Sequence, residues 1–286
     1  MLTACLSRDA RALVGLCALT AALTASRAAG PPVRARVDPA AVAQSSADAR
    51  IWIGRAAEIE NYLRTVPIVS MEALSVGVTK PMKATLPPGG PVPYLVWKPI
   101  RPGIYQGSWE SYKSEIAAYE LDKLLALDMV PPTVEKTHRG ERGAAIMWAS
   151  PTRSFKDFGG TGAPAPPAAE SARFTRQLVR AKMFDNLIRN IDPNLGNWLV
   201  DPAWNVMLID HSRCFTGGRD FVHEMTRVDA ELWARMQALT EESLRPVLGP
   251  WMGAGEVRAV LRRRDRMQEL IDRLVKERGE TAVFIR

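Results

Sequence analysis

Asn190-Ile191-Asp192-Pro193-Asn194-Leu195-Gly196-Asn197-Trp198-Leu199-Val200 places an aspartate and an asparagine five residues apart, in a loop that runs straight into a short apolar strand. A turn at Asp201-Pro202-Ala203 and a second apolar run, Val206–Ile209, complete a hairpin, and Asp210 closes it. Because a hairpin folds back on itself, Asn197 before the first strand and Asp210 after the second are expected to be neighbours. Taken singly, Asp and Asn also initiate turns and cap helices. The joint spacing of all three points beyond that role.

Phosphoryl transfer calls for such a set. One carboxylate orients the attacking hydroxyl and takes its proton, while a second carboxylate and an amide oxygen hold a divalent ion against the nucleotide phosphates. Asp192 suits the first task, Asn197 and Asp210 the second. Upstream, Lys98 ends the apolar run Tyr94-Leu95-Val96-Trp97, and Glu115 follows seventeen residues later near the start of a helical pattern. A lysine on an otherwise buried strand needs an anionic partner. A strand Lys paired to a helix Glu is how nucleotide phosphates are positioned in kinase folds. Alone, Lys98 also fits a snorkelling strand end and Glu115 a solvated helix residue.

Working outward, Ile51–Leu63 has the period of an amphipathic helix. Runs of β type cover Ser75–Thr85 and Tyr94–Pro99, separated by the turn cluster Leu86-Pro87-Pro88-Gly89-Gly90. A helix is expected from about Trp109 to Leu127, ending before Pro131-Pro132. Strands Thr133–Thr137 and Ala144–Ala149 follow, with a turn through Gly140 and Gly143. These elements predict a small α+β lobe over residues 51–150. Residues 151–170, rich in Gly and Pro, are expected to be a loop between lobes. Residues 171–286 are mainly helical, with helices near Ser171–Asn190, Asp229–Leu239, Glu242–Val247 and Gly255–Arg278, and the Trp198–Ile209 hairpin between the first two.

The chain has 286 residues, 47% of them hydrophobic and 24% charged, enough for a sizeable core. Arg8 and Arg11 precede an apolar run, Ala12–Ala25, and Ser26-Arg27-Ala28 offers small residues at a cleavage position. This pattern predicts an exported protein with a signal peptide over 1–28 and a linker over 29–50. An uncleaved N-terminal anchor is the alternative, and the only membrane contact expected. Only Cys214 lies beyond the signal, so the mature chain can form no intrachain disulfide. The net charge of +7 falls to +5 once three Arg and one Asp leave with residues 1–28. Without basic blocks interleaved with aromatics, this surplus does not predict a nucleic-acid partner. The histidines lack metal-ligand spacing with one another or with Cys214, and no hydrolase triad signature is present.

The stretch Glu115-Ile116-Ala117-Ala118-Tyr119-Glu120-Leu121-Asp122-Lys123-Leu124-Leu125, followed by Val130-Pro131-Pro132, resembles a helix of the secretory-pathway kinases of the Golgi casein kinase and four-jointed type. Trp97-Lys98-Pro99 resembles their Phe-Lys-Pro. Ile188–Asp192, Asn197–Val200 and Ile209-Asp210 resemble the type II phosphatidylinositol 4-kinases. The resemblance spans roughly residues 75–215. It implies an atypical bilobal kinase-like α+β fold, with a small β-rich lobe carrying one main helix and a larger, mainly helical lobe. It also implies ATP between the lobes and Mg²⁺ or Mn²⁺ on Asn197 and Asp210. Asp192 becomes the catalytic base, Lys98 the phosphate-contacting lysine and Glu115 its partner, and Met147-Trp148-Ala149 the hinge beside the adenine. Trp148 equally suits plain core. The acceptor would be a hydroxyl on a protein, a glycan or a lipid head group.

Departures from both patterns are Pro193 in place of their usual Arg, and His211-Ser212-Arg213 after Asp210. A Gly-rich loop signature is missing, with Gly77 and Lys80 its only weak trace, and the extra cysteines of the animal secretory kinases are absent. Two further readings follow: a pseudokinase that binds nucleotide or a partner without chemistry, and a cytoplasmic enzyme like the HipA-type toxin kinases.

Overall fold

A computed structural model describes residues 48–74 and 81–286. The expected signal segment and the linker up to residue 47 lie outside the described residues, as do Gly77 and Lys80.

In chain order the first half carries α1 (Ala56–Thr65), β1 (Ser70–Ala73), β2 (Met82–Thr85), β3 (Tyr94–Lys98), β4 (Gly103–Tyr105), β5 (Ser108–Glu110), α2 (Tyr112–Leu124), β6 (Thr133–His138) and β7 (Glu141–Met147). Five of these strands form one antiparallel sheet in the order β1-β2-β3-β7-β6, while β4 and β5 pair only with each other. Alternation along β3 sorts its side chains. Leu95 and Trp97 pack with Ile59 and Leu63 of α1, whereas Val96 packs with Tyr112 and Ile116 of α2. Lys98 shares the face of Val96, so the period of two aims it toward α2.

The turn between β6 and β7 is Arg139-Gly140, both at positive φ (49° and 80°), which is the two-residue hairpin pattern. Gly143, expected in that turn, lies inside β7. A Cβ there would come within 2.7 Å of the Lys98 carbonyl oxygen and the Pro99 Cα. Its glycine lets β7 press against β3 where the chain leaves Lys98.

Lys136 on β6 is buried, and its Nζ donates to the carbonyls of Leu63, Arg64 and Val66 at 3.0, 3.1 and 2.6 Å. A cation thus satisfies the unpaired carbonyls at the C-terminus of α1. Lys136→Met should destabilise the protein by about 1.5–3 kcal/mol, the range for hydrogen bonds to a charged group. Urea denaturation checks this, and an unchanged midpoint would refute it.

Helix α2 begins at Tyr112, because the Ser111 side chain caps it by accepting the Lys113 amide at 3.1 Å. Trp109 and Glu110, expected in the helix, belong to β5. The apolar face of α2 joins the core of the second half: Ala117, Ala118, Tyr119 and Leu121 cluster with Phe184, Leu208 and Phe215.

That second half carries β8 (Arg153–Ser154), a 3-10 turn over Phe155–Phe158, another over Ala168–Glu170, α3 (Ser171–Ile188), β9 (Trp198–Val200), β10 (Val206–Leu208), β11 (Val228–Asp229), α4 (Ala230–Gln237), α5 (Glu241–Leu248), α6 (Ala254–Arg278), α7 (Glu280–Val283) and β12 (Phe284–Ile285). The 151–170 stretch, expected to be all loop, is pinned at its start. There β8 pairs with β9, and Phe155 is fully buried against Phe174 and Trp198. Arg263 of α6, also fully buried, donates to the carbonyls of Leu187, Thr216 and Gly218. Burial, with Arg189 nearby, pushes its guanidinium pKa down to about 10.

Asp122, in the last turn of α2, accepts the amides of Met129 and Val130 at 3.0 Å each. Burial raises its pKa to about 7, against the opposing pull of those bonds. A carboxyl with a raised folded pKa stabilises most below its unfolded pKa near 4 and loses that contribution as pH climbs toward 7. Asp122→Asn keeps an acceptor oxygen without the charge. Its stability relative to wild type should therefore rise by on the order of 2–4 kcal/mol between pH 4 and pH 8. Denaturation curves at both pH values test this, and a pH-independent difference would refute it.

Candidate active site

The apolar pattern of α3 ends at Ile188, and Arg189 leaves the helix in the left-handed region (φ 53°) with its amide bonded to the Asp185 carbonyl. Asp185, fully buried, also accepts the Asn190 side-chain amide at 3.1 Å, and its other oxygen lies 2.9 Å from His223 Nε2. Asn190 in turn accepts the backbone N–H of Asp192 at 3.2 Å. A chain of polar contacts rooted in α3 thus sets where Asp192 begins the loop.

Within the loop, the Asn197 side-chain nitrogen donates to the Asp192 carbonyl at 3.1 Å, and the Asn197 carbonyl accepts the Ile209 amide at 3.0 Å. The second bond carries the β9–β10 ladder one step further. It brings Asn197 alongside Asp210, as the hairpin spacing predicted. Asp210 sits at φ 63°, a left-handed conformation uncommon for non-glycine residues but several-fold enriched in Asp.

Lys98 joins the two halves. Its Nζ lies 2.8 Å from Glu115 Oε1 and 2.8 Å from Asp210 Oδ1. Burial alone would drive the lysine toward neutrality, but the charges of Asp210 and Glu115 outweigh it and hold its pKa above the ordinary value. Burial likewise opposes ionisation of Asp210. Lys98 prevails, helped by His211 and Ser212, and holds this carboxyl below its usual range. Glu115 is anchored on its far side by the His211 amide, which donates to Oε2 at 2.9 Å. The His211 ring is buried, its Nδ1 3.9 Å from Glu115, and burial pushes its pKa down against the opposing pull of the Glu115 charge.

Asp192 is the more open carboxylate. Its Oδ1 accepts from the Asn194 side chain at 3.1 Å, and its Oδ2 faces Arg213 Nη1 at 3.3 Å. Arg213 is anchored behind: Nε and Nη2 donate to Glu110 Oε1 at 2.9 and 2.8 Å, and Glu110 is fully buried at the end of β5. The Glu110 hydrogen bonds raise the guanidinium pKa against partial burial, and Asp192 and Asp210 add to the rise. In the sequence Arg213 stood out only as part of the His211-Ser212-Arg213 departure, with no role attached to it, and Glu110 did not stand out. They are 103 positions apart, and only the fold brings them together.

Of the expected hinge residues, Met147 and Ala149 place their side chains in the small core, while Trp148 is half-buried with the Lys83 ammonium 4.7 Å from its ring centroid. The donor set of Asn197 and Asp210 fits a hard divalent ion. With its nitrogen given to Asp192, the Asn197 amide leaves its oxygen free to ligate, and Asp210 has Oδ2 beyond the oxygen held by Lys98. One carboxylate and one amide oxygen suit Mg²⁺ or Mn²⁺ when phosphate oxygens complete the shell. Among the described residues no group of three or more His, Cys, Asp or Glu is arranged to hold a metal ion. The phosphates would have to complete the site.

No protein-family model and no curated protein sequence matches the chain. Solved structures do. A hydra Fam20 structure with sugar superposes with a TM-score of 0.61 at 17% identity, covering 80% of this chain and 92% of that one. The Golgi casein kinase with Mn and ADP bound superposes with a TM-score of 0.63 at 14% identity, covering 82% and 79%. At these identities the likeness establishes the fold. The chain has the atypical, bilobal kinase-like α+β architecture, with Lys98 and Glu115 in the first lobe and Asp192, Asn197 and Asp210 in the second.

Proposed function

We propose that this chain is an exported, ATP-dependent phosphotransferase that moves the γ-phosphoryl group to a hydroxyl of a protein, a glycan or a lipid head group. The observation that carries the reading is Lys98, 2.8 Å from both Glu115 and Asp210 across the two lobes. A buried lysine held between carboxylates of different lobes can pass to phosphate oxygens once a divalent ion takes up the charge of Asp210. The Mn and ADP in the Golgi casein kinase structure support nucleotide and metal as the occupants.

In this reading Lys98 takes up phosphate oxygens and Glu115 fixes its direction. Asn197 and Asp210 would hold Mg²⁺ or Mn²⁺, which would neutralise charge on the phosphates. Asp192 orients the acceptor hydroxyl and receives its proton. The backbone of the 192–197 loop, braced from α3, keeps the base at a fixed distance from the ligating pair. Export rests on the Arg8 to Ala28 pattern. Among the described residues no helix is long and apolar enough to cross a membrane.

Incubation with labelled ATP and Mg²⁺ or Mn²⁺ against protein, glycan and phosphoinositide panels tests the reading. Label transferred to one class identifies the acceptor, and a purified protein that never consumes ATP sinks it. One observation favours a non-catalytic alternative: Arg213 covers Asp192 and Lys98 covers Asp210. Thermal stabilisation by ATP without turnover would support a pseudokinase.

A further inference from the structure

We propose that Arg213 is a catalytic residue, whose Nη1 leaves Asp192 to contact an oxygen of the transferring phosphoryl group. This rests on the phosphotransferase reading above. The transferred group spreads negative charge over its oxygens and needs cations beside it. The loop that should supply one has none: Pro193-Asn194-Leu195-Gly196 separates Asp192 from Asn197. Lys98 meets the phosphates from the side of Glu115 and Asp210, away from the base. Arg213 is the cation on Asp192 itself.

Its two ends are held unequally. Nε and Nη2 meet Glu110 at 2.9 and 2.8 Å, within or near the range for charge-assisted bonds, whereas Nη1 stands 3.3 Å from Asp192, well outside it. The Glu110 end is buried and the Asp192 end faces the open side, Asp192 being the more exposed partner. Glu110 also keeps a second oxygen, Oε2, buried without a hydrogen-bond partner. Such an atom is costly to leave unmade. It gives the guanidinium a second seat on Glu110 when Nη1 turns away from Asp192.

Both ends of the exchange then serve one step. Nη1 trades a carboxylate oxygen for a phosphoryl oxygen, and Asp192 Oδ2 is freed for the acceptor. The hydroxyl oxygen forms its bond to the γ-phosphorus, the bond from that phosphorus to the β–γ bridging oxygen breaks, and ADP departs with the electron pair. The hydroxyl proton passes to Asp192.

ADP release from ATP with Mn²⁺, with water as acceptor, is measured for wild type, Arg213→Lys and Arg213→Met, alongside thermal midpoints. Loss of one preorganised donor predicts a kcat lower by about 10²–10³-fold for Arg213→Met, with KM for ATP within about threefold. Arg213→Lys keeps the charge without the fork, so it should regain about tenfold yet stay about tenfold or more below wild type. If Arg213→Met does not fold, Arg213→Lys decides alone: wild-type kcat in that variant overturns the assignment. Turnover of both variants within threefold of wild type, or a loss confined to KM, also overturns it. A wild type that releases no ADP removes the phosphotransferase reading itself, and this inference with it.

Discussion

Lys98→Met is expected to cost about 3–5 kcal/mol of stability and to abolish nucleotide turnover. The stability loss follows from what remains behind. Glu115, 2% exposed, would keep its charge in the interior with only the His211 amide as partner, and Asp210 would face it without the intervening ammonium. Removing one partner of a buried ion pair has about this cost, because a stranded charge is worse than an absent one. Asp210 has a third of its side chain exposed and can recover water, so Glu115 carries most of the penalty. The double variant Lys98→Met/Glu115→Gln separates the two effects. Deleting the stranded charge should restore a good part of the stability and none of the turnover. If Lys98→Met unfolds at the wild-type urea midpoint, the pair is not the interlobe tie described above.

Asp192→Asn should lower phosphoryl transfer by about 10²–10⁴-fold, the usual contribution of a positioned general base, while leaving stability within about 1 kcal/mol of wild type. The side chain is 38% exposed, and its ion pair with Arg213 is long at 3.3 Å. Its structural bonds run through the backbone, whose N–H donates to Asn190 and whose carbonyl accepts from Asn197. Asparagine preserves those backbone bonds and removes the basicity together with the charge that faces Arg213. ADP release and thermal midpoint are measured together. A variant keeping more than a tenth of wild-type turnover would show that the proton goes elsewhere.

Sequence reasoning reached the hairpin trio and the Lys98–Glu115 pair because each is encoded by local spacing. Two strands of period two and one tight turn bring Asn197 to Asp210, and seventeen residues carry the chain from a strand end to the first turn of a helix. The β4–β5 hairpin escaped because its strands have three residues each and leave Ile104 and Trp109 exposed, so no alternation announces them. Ser111 was the available signal, a capping residue that sets the helix start three positions later than the apolar period implied. Arg213 could not have been found this way. Its anchor, Glu110, is remote in sequence, and a buried carboxylate looks like any other until the fold is known.

The apolar face of α2 lies in the core of the second lobe, and its capping residue is tied there too, the Ser111 amide donating to the Ser212 carbonyl at 2.9 Å. A helix so rooted is a poor on–off lever. Swinging Glu115 away from Lys98 would draw Tyr119 and Leu121 out of that core, at roughly 1.5–3 kcal/mol for each large side chain exposed. Parking this helix in an inactive pose is therefore a costly way to control the protein.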